Sequence, residues 1–384
     1  MKVIPEIVDH DKRQSIVSRI LLTGDGNDLV FLDTNILIWI YRLNTESFKE
    51  LKIFLGNLIS NKRLVIPNWV IHEYNSLLNN YSEHVFYPFK KRLRSLEKEI
   101  SYLEEMGLLI ADNEFSKRNG FTNKHNFMSE IKSETESLRQ KINLLTHKNN
   151  YKNEKRRSFI EKLVENAQSN CNISELVKNL EYNEFRYNHR IPPGFEDESK
   201  TENKFGDLMI WREVIENCKL RESKNAIFIT LDSKKDWVFS PNRVIRHGKE
   251  INNNTNGCHY FILPWLTKEF KEETHGDFVE IMNINSVVDI LYSPDHHPIE
   301  FERFKNLAKT VALELKNSET NRIIEWFLVN GDKLNFLING ICKWDFSPGE
   351  VDVDELRQWC VKNIKIEIDW KKVEWNNVFM QLFI

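Results

Sequence analysis

Three short apolar runs constrain the architecture of this 384-residue chain more than any other feature. They are Leu29-Val30-Phe31-Leu32, Leu64-Val65-Ile66 and Ala226-Ile227-Phe228-Ile229-Thr230. Runs so short and so uniformly apolar read as strands buried on both faces, the kind found in parallel sheets covered by helices. Residues 35–41, 48–59 and 207–220 carry apolar side chains at helical spacing between them. This alternation predicts an α/β fold: three α/β/α layers around a central parallel sheet. A fourth strand is expected over residues 258–263, ending at Pro264.

In a parallel sheet, ligands bind beyond the carboxyl ends of the strands, and here acids stand at those places. Asp33 closes the first run, and Glu73 lies in a helix entered through Pro67-Asn68 after the second. Asp207 opens a helix directly after Gly206, and Asp232 follows the third run, with Asp236 close behind. So many carboxylates cannot share a site as bare anions, because like charges raise one another's pKa. Divalent cations resolve the conflict, and an oxygen-only donor set suits Mg²⁺ or Mn²⁺. The chemistry this points to is metal-assisted phosphodiester hydrolysis, with Asn35 and Thr230 orienting the carboxylates. Plainer readings stand beside it. Asp33-Thr34-Asn35 and Asp207 also suit helix capping, and most helix glutamates such as Glu73 are solvated. Asp232 and Asp236 would share a helix face if the strand ran straight into a helix. His72 points to a different helix face from Glu73 and is expected to be structural.

Charge is nearly balanced, 54 Lys and Arg against 57 Asp and Glu, so a nucleic-acid partner requires a local basic patch. Candidates are Lys90-Lys91-Arg92-Arg94 and the group Lys148, Lys152, Lys155, Arg156 and Arg157. Both fall in a stretch of about 76–190 that has helical periodicity and no convincing strand, which predicts a long helical insertion. Residues 1–28 form a polar segment ending in a turn cluster, and 285–384 read as a mostly helical carboxy-terminal domain with a tail, 364–384, that fits strand or helix. Five scattered cysteines and a charged amino terminus predict reduced thiols and a cytoplasmic location. No apolar stretch is long enough for a membrane span. His296-His297 lacks a second ligand group at zinc spacing, and Glu196-Asp197-Glu198 is expected to face solvent. Neither a Gly-rich phosphate loop nor a Gly-x-Ser-x-Gly elbow occurs, against a nucleotide-driven motor or a serine hydrolase.

Taken together, Leu32-Asp33-Thr34-Asn35, Pro67…Glu73, Gly206-Asp207-Leu208-x-x-Trp211 and Phe228-Ile229-Thr230…Asp232-x-Lys234-x-Asp236-Trp237 resemble a PIN (PilT amino-terminal) domain. The chain is similar to the PIN-like branch in which a long helical insertion separates the second and third acids. That branch also has a Pro-Pro-Gly-aromatic turn before the Gly-Asp helix, matched by Pro192-Pro193-Gly194-Phe195 with Asp197 and Lys200 following. The resemblance covers roughly 29–270 and places a nuclease domain over 29–275.

The resemblance implies a Mg²⁺- or Mn²⁺-dependent nuclease, usually acting on RNA. Asp33, Glu73, Asp207 and Asp232 would be its acidic quartet and metal ligands, and Asp236 an auxiliary acid. Lys234, Lys200 and the basic clusters, Arg156 and Arg157 among them, would hold a single-stranded or looped RNA backbone. Leu231 departs from the pattern, standing where the branch commonly has the first of two adjacent acids. Because side chains alternate as a strand ends, Asp232 is expected to keep the ligand role. Relatives of this branch often look like toxin or phage-defence effectors, with which a regulatory protein partner or a homo-oligomer would be compatible. Two alternatives stay open: a DNA nuclease of the same fold, and a module that binds nucleic acid or a partner after losing catalysis.

Overall fold

A computed structural model of the protein describes residues 4–24, 27–86, 90–146, 150–172, 180–253, 259–292, 304–314 and 353–364, with single positions 174, 177, 323, 373 and 378. Its strands are β1 (Ile7–Asp9), β2 (Asp28–Leu32), β3 (Leu64–Val65), β4 (Asn225–Thr230), β5 (Val238–Phe239), β6 (Arg243–Arg246), β7 (Lys249–Asn252), β8 (Phe261–Ile262) and β9 (Phe278–Asn283). The central sheet runs β3-β2-β4-β9, with every pairing parallel. In register, Phe31 lies beside Phe228 and Leu32 beside Ile229, so the carboxyl ends of β2 and β4 finish level with each other. Every residue of β2 is buried, as is β4 from Ala226 onward, as expected of strands covered on both faces.

The fourth strand of this sheet corrects the expectation. It is β9, past residue 275, and not 258–263. Only Phe261–Ile262 of the expected run is a strand, and it pairs antiparallel with β5; Cys258 lies outside the described residues. β9 carries Glu280 at its centre, buried at 2% exposure. Its carboxylate is bonded by the Arg13 guanidinium and accepts from Ile262 N at 3.2 Å and Ile281 N at 3.1 Å. A charge buried this way needs partners to offset its lost hydration.

Arg13 lies in the amino-terminal segment. The amino-terminal segment holds the helix His10–Thr23, which buries Val17, Ile20 and Leu21, and β1 lies parallel to β6 of the β6–β7 hairpin. Arg63 is also buried, donating to Ile20 O and Asp28 O and so tying that helix to β2. Beyond β9, the helices Ile284–Leu291, Lys305–Glu314 and Val353–Asn363 agree with a helical carboxy-terminal part. Glu50, on the helix Thr45–Ser60, caps the adjoining helix Lys305–Glu314, accepting from Asn306 N at 3.2 Å and Leu307 N at 2.6 Å. His296-His297, and the tail from 365 apart from positions 373 and 378, lie outside the described residues.

Residues Asn75–Phe159 form a compact unit of their own, separate from Met1–Tyr74 and Ile160–Ile384. Helices continue beyond it, over Asn150–Ala167 and Leu180–Asn188. Inside that unit, Lys90–Ile110 packs on Lys124–Thr146. A Cβ on Gly107 would meet Met128 Cε at 3.3 Å, so a small residue permits the close approach. Arg139 joins the two helices by bonding both Glu104 oxygens, at 2.9 and 3.1 Å. No helix among the described residues is long and apolar enough to cross a membrane.

Candidate active site

Asp33 is fixed where β2 ends. Its N–H donates to Ile229 O at 3.0 Å, and its Oδ1 caps the helix Thr34–Trp39 by accepting from Thr34 N at 2.7 Å. Capping occupies only one oxygen. Oδ2 accepts from Asn35 Nδ2 at 2.7 Å and from Thr230 Oγ1 at 2.6 Å. Asn35 Oδ1 in turn accepts from Leu231 N at 2.9 Å, so Asn35 and Thr230 lock the ends of β2 and β4 together around this carboxylate. Burial raises the Asp33 pKa to about 7; the Glu73 and Asp207 charges push the same way, and the Thr230 hydrogen bond opposes them.

That shift has a consequence for stability. The folded protein holds the Asp33 proton more tightly than the unfolded chain, whose carboxyl titrates near 3.8. Stability contributed by the protonated form is therefore present at low pH and lost as pH rises through about 4 to 7. Without divalent ions, the melting temperature is predicted to carry this downward component between pH 5 and 7, and Asp33→Asn to remove it. Identical wild-type and variant profiles would contradict the assignment.

Glu73 and Asp207 reach the same end of the sheet on two helices. Glu73, on the helix Asn68–Phe86, accepts from Thr34 Oγ1 at 2.6 Å and from Asn203 Nδ2 at 2.5 Å. Asp207 is in the first turn of Gly206–Leu220. A Cβ on Gly206 would lie 2.7 Å from Glu73 Oε1, so glycine is what lets that helix begin against the Glu73 carboxylate. Further along the same helix, Glu213 accepts from Asn68 N at 2.6 Å and Trp69 N at 2.7 Å. One acid thus caps the helix bearing Glu73 from the helix bearing Asp207. Its own pKa is raised by burial, with the two amides opposing.

The segment after β4 differs from the sequence expectation. Residues 232–237 form an extended stretch and a turn, so Asp232 and Asp236 share no helix face. Asp232 is 55% exposed at the rim, whereas Asp236 is fully buried. Asp236 Oδ2 accepts from Gly194 N at 2.8 Å and Glu196 N at 3.1 Å, clamping the Pro-Pro-Gly turn. Burial and the Asp207 charge raise its pKa. One oxygen thus clamps the turn, while Oδ1 is buried and accepts no hydrogen bond among the described residues. Asp197 is also drawn in, at 13% exposure, where solvent exposure was expected; burial works against its charge, but Lys200 and Lys234 hold its pKa below the ordinary range.

The residues expected to hold a nucleic-acid backbone fall into different surroundings. Lys200 is half exposed and bonded to Asp197 at 2.7 Å, and Lys234 is engaged by Asp207 at 2.8 Å. Arg156 is buried, and burial lowers its pKa to about 10, so it offers no surface to a strand; Arg157 is exposed. The side chains of Lys90, Lys91, Arg92, Arg94 and Lys152, and all of Lys148, lie outside the described set. His72 is exposed beside the Trp69 ring.

Among the described residues, no three His, Cys, Asp or Glu side chains stand closely enough to hold one ion as they are placed. The donor chemistry nonetheless suits a hard cation. Asp33, Glu73 and Asp207 offer only carboxylate oxygens, and the charges of the latter two add to burial in pushing the Asp33 pKa up. A divalent ion would relieve that repulsion once Glu73 turns from its hydrogen bonds to Thr34 and Asn203.

Sequence reading missed Asn203 and Glu213. Nothing local marks Asn203, which also accepts from Trp69 Nε1 at 2.9 Å. Glu213 had a signal: it lies between Met209 and Asn217 at i±4 on a buried stripe, where an acid must have partners.

A parallel sheet with carboxylates beyond its strand ends is an α/β arrangement that places a site at that edge. A family model described as a PIN-like domain matches residues 29–250, more than half the chain, and the protein belongs to that family. No curated protein and no solved structure matches the chain.

Proposed function

We propose that this protein is a metal-dependent endoribonuclease that hydrolyses RNA phosphodiester bonds. The observation that carries this reading is the convergence of Asp33, Glu73 and Asp207 at one end of the sheet, with Asp33 raised to about 7 by burial and by the other two charges. Those three side chains would hold Mg²⁺ or Mn²⁺, and Asp232 would border them from the rim. When bound, such an ion supplies an acidified water and charge neutralisation at the scissile phosphate. The chain's own residues do the positioning. Asn35, Thr230 and the Thr34 amide hold Asp33 in one rotamer, while Glu73 would leave the Thr34 hydroxyl and Asn203 to reach the ion. Lys200, half exposed beside Asp197, would contact backbone phosphates. RNA is the usual substrate of the branch the sequence resembles, and a toxin or phage-defence role is the setting it suggests.

The test is incubation of the full chain with labelled RNA and DNA of equal sequence in Mn²⁺, with Asp207→Asn as control. RNA cleavage that stops in the variant is expected. Cleavage of DNA alone would replace the substrate assignment, and equal activity of variant and wild type would refute the site. A second prediction concerns Thr230→Val, which keeps the β-branched shape but removes the hydroxyl shared by Asp33 and Asp232 N. Loss of such an orienting partner is expected to weaken Mn²⁺ binding roughly 10–100-fold by calorimetry. Unchanged affinity would show that the hydroxyl does not orient the site.

A further inference from the structure

Lys234 does not stand free in solvent as a backbone-gripping lysine would. Its ammonium lies 2.8 Å from Asp207 Oδ2 and 3.0 Å from Asp197 Oδ2, with Asp232 Oδ2 at 4.0 Å. Two carboxylates grip the ammonium and a third stands at the edge of ion-pair range, so a cation already sits beside these acids. We propose that Lys234 is a built-in cation standing in place of a second metal ion, so that this nuclease works with a single divalent ion on the Asp33–Glu73–Asp207 side. The inference rests on the metal-dependent reading above and specifies its ion count.

Position argues for it first. The Lys234 backbone is held in a turn, its carbonyl accepting from Trp237 N at 3.0 Å and Val238 N at 3.1 Å. Its partner Asp197 is steadied by Lys200 at 2.7 Å and lies on the turn that Asp236 clamps. The ammonium is therefore placed from both sides, and only 23% of the side chain is exposed.

Ligand supply argues for it next. Asp207 Oδ2 is taken by Lys234 and by Trp237 Nε1 at 3.2 Å, while Oδ1 accepts no hydrogen bond among the described residues. One oxygen thus serves the ammonium and the other stays open to an ion. Leu231 adds no carboxylate beside Asp232. A second divalent ion near Asp232 would have few oxygens to bind and a fixed positive charge alongside, a repulsion that partial burial leaves poorly screened.

Calorimetric titration of Mn²⁺ into the full chain tests this. Wild type is expected to bind one equivalent. Lys234→Met is expected to bind a second, or to bind the first at least roughly tenfold more tightly because the nearby positive charge is gone. Lys234→Arg is expected to keep one equivalent at about the wild-type affinity. Two equivalents on wild type, or a Lys234→Met titration matching wild type, would overturn the inference while leaving the metal-dependent reading intact. No binding by wild type would overturn both. Melting curves in chelator establish that each variant is folded; should Lys234→Met fail to fold, the wild-type stoichiometry and Lys234→Gln decide.

Discussion

Asp33→Asn is expected to abolish nuclease activity while leaving the fold in place. The two halves of this outcome have separate causes. Asparagine caps helices as well as aspartate does, so Thr34–Trp39 keeps its start. Asp33, however, accepts on both oxygens, from the Thr34 amide on one side and from Asn35 and Thr230 on the other. An amide must turn its NH₂ toward one of these donors, which forfeits a hydrogen bond of about 1 kcal/mol. The variant also loses the anionic oxygen that a hard cation requires. Its activity loss should exceed the roughly 100-fold that removal of an outer orienting partner costs, with a melting temperature within a few degrees of wild type. A variant that cleaves normally would remove Asp33 from the mechanism, and one that unfolds would make it purely structural.

Glu213→Ala is expected to be the most destabilising single change near the site. Glu213 is 1% exposed and accepts from Asn68 N and Trp69 N. Truncation strands two amides at a buried helix start and opens a void, together costing about 2–4 kcal/mol. Since Glu213 joins the helix of Asp207 to the helix of Glu73, activity should fall as well, even in protein that remains folded. Glu213→Gln keeps an acceptor and should lie between the two. Urea unfolding midpoints measure this, and an unchanged midpoint for Glu213→Ala would show that the cap contributes nothing.

The parts of the fold legible in the sequence were those with local signals. β2, β3 and β4 were visible because strands buried on both faces are apolar throughout, and Asp33 and Asp207 because each stands at a strand or helix boundary. β9 was not legible: Glu280 interrupts its apolar run, and its acceptability depends on Arg13, far away in sequence. The amino-terminal helix was obscured for a similar reason, since its few buried positions are scattered among charged ones. Asp236 was misplaced because i, i+4 spacing suggests a helix, whereas the chain turns there to put that carboxylate under the Gly194 and Glu196 amides. Arg156 and Arg157 are neighbours in a basic cluster, yet one is buried and one exposed, a difference that composition does not carry.

The central claim is that carboxylates brought together from three separate segments form one seat for a hard cation. Anomalous diffraction from crystals of the full chain grown with Mn²⁺ tests it most directly. A single strong peak ligated by Asp33, Glu73 and Asp207, with the Lys234 ammonium still bonded to Asp207 and Asp197, is the predicted result. Crystals that show no manganese among these side chains, although the ion is present at concentrations that support activity, would contradict the account.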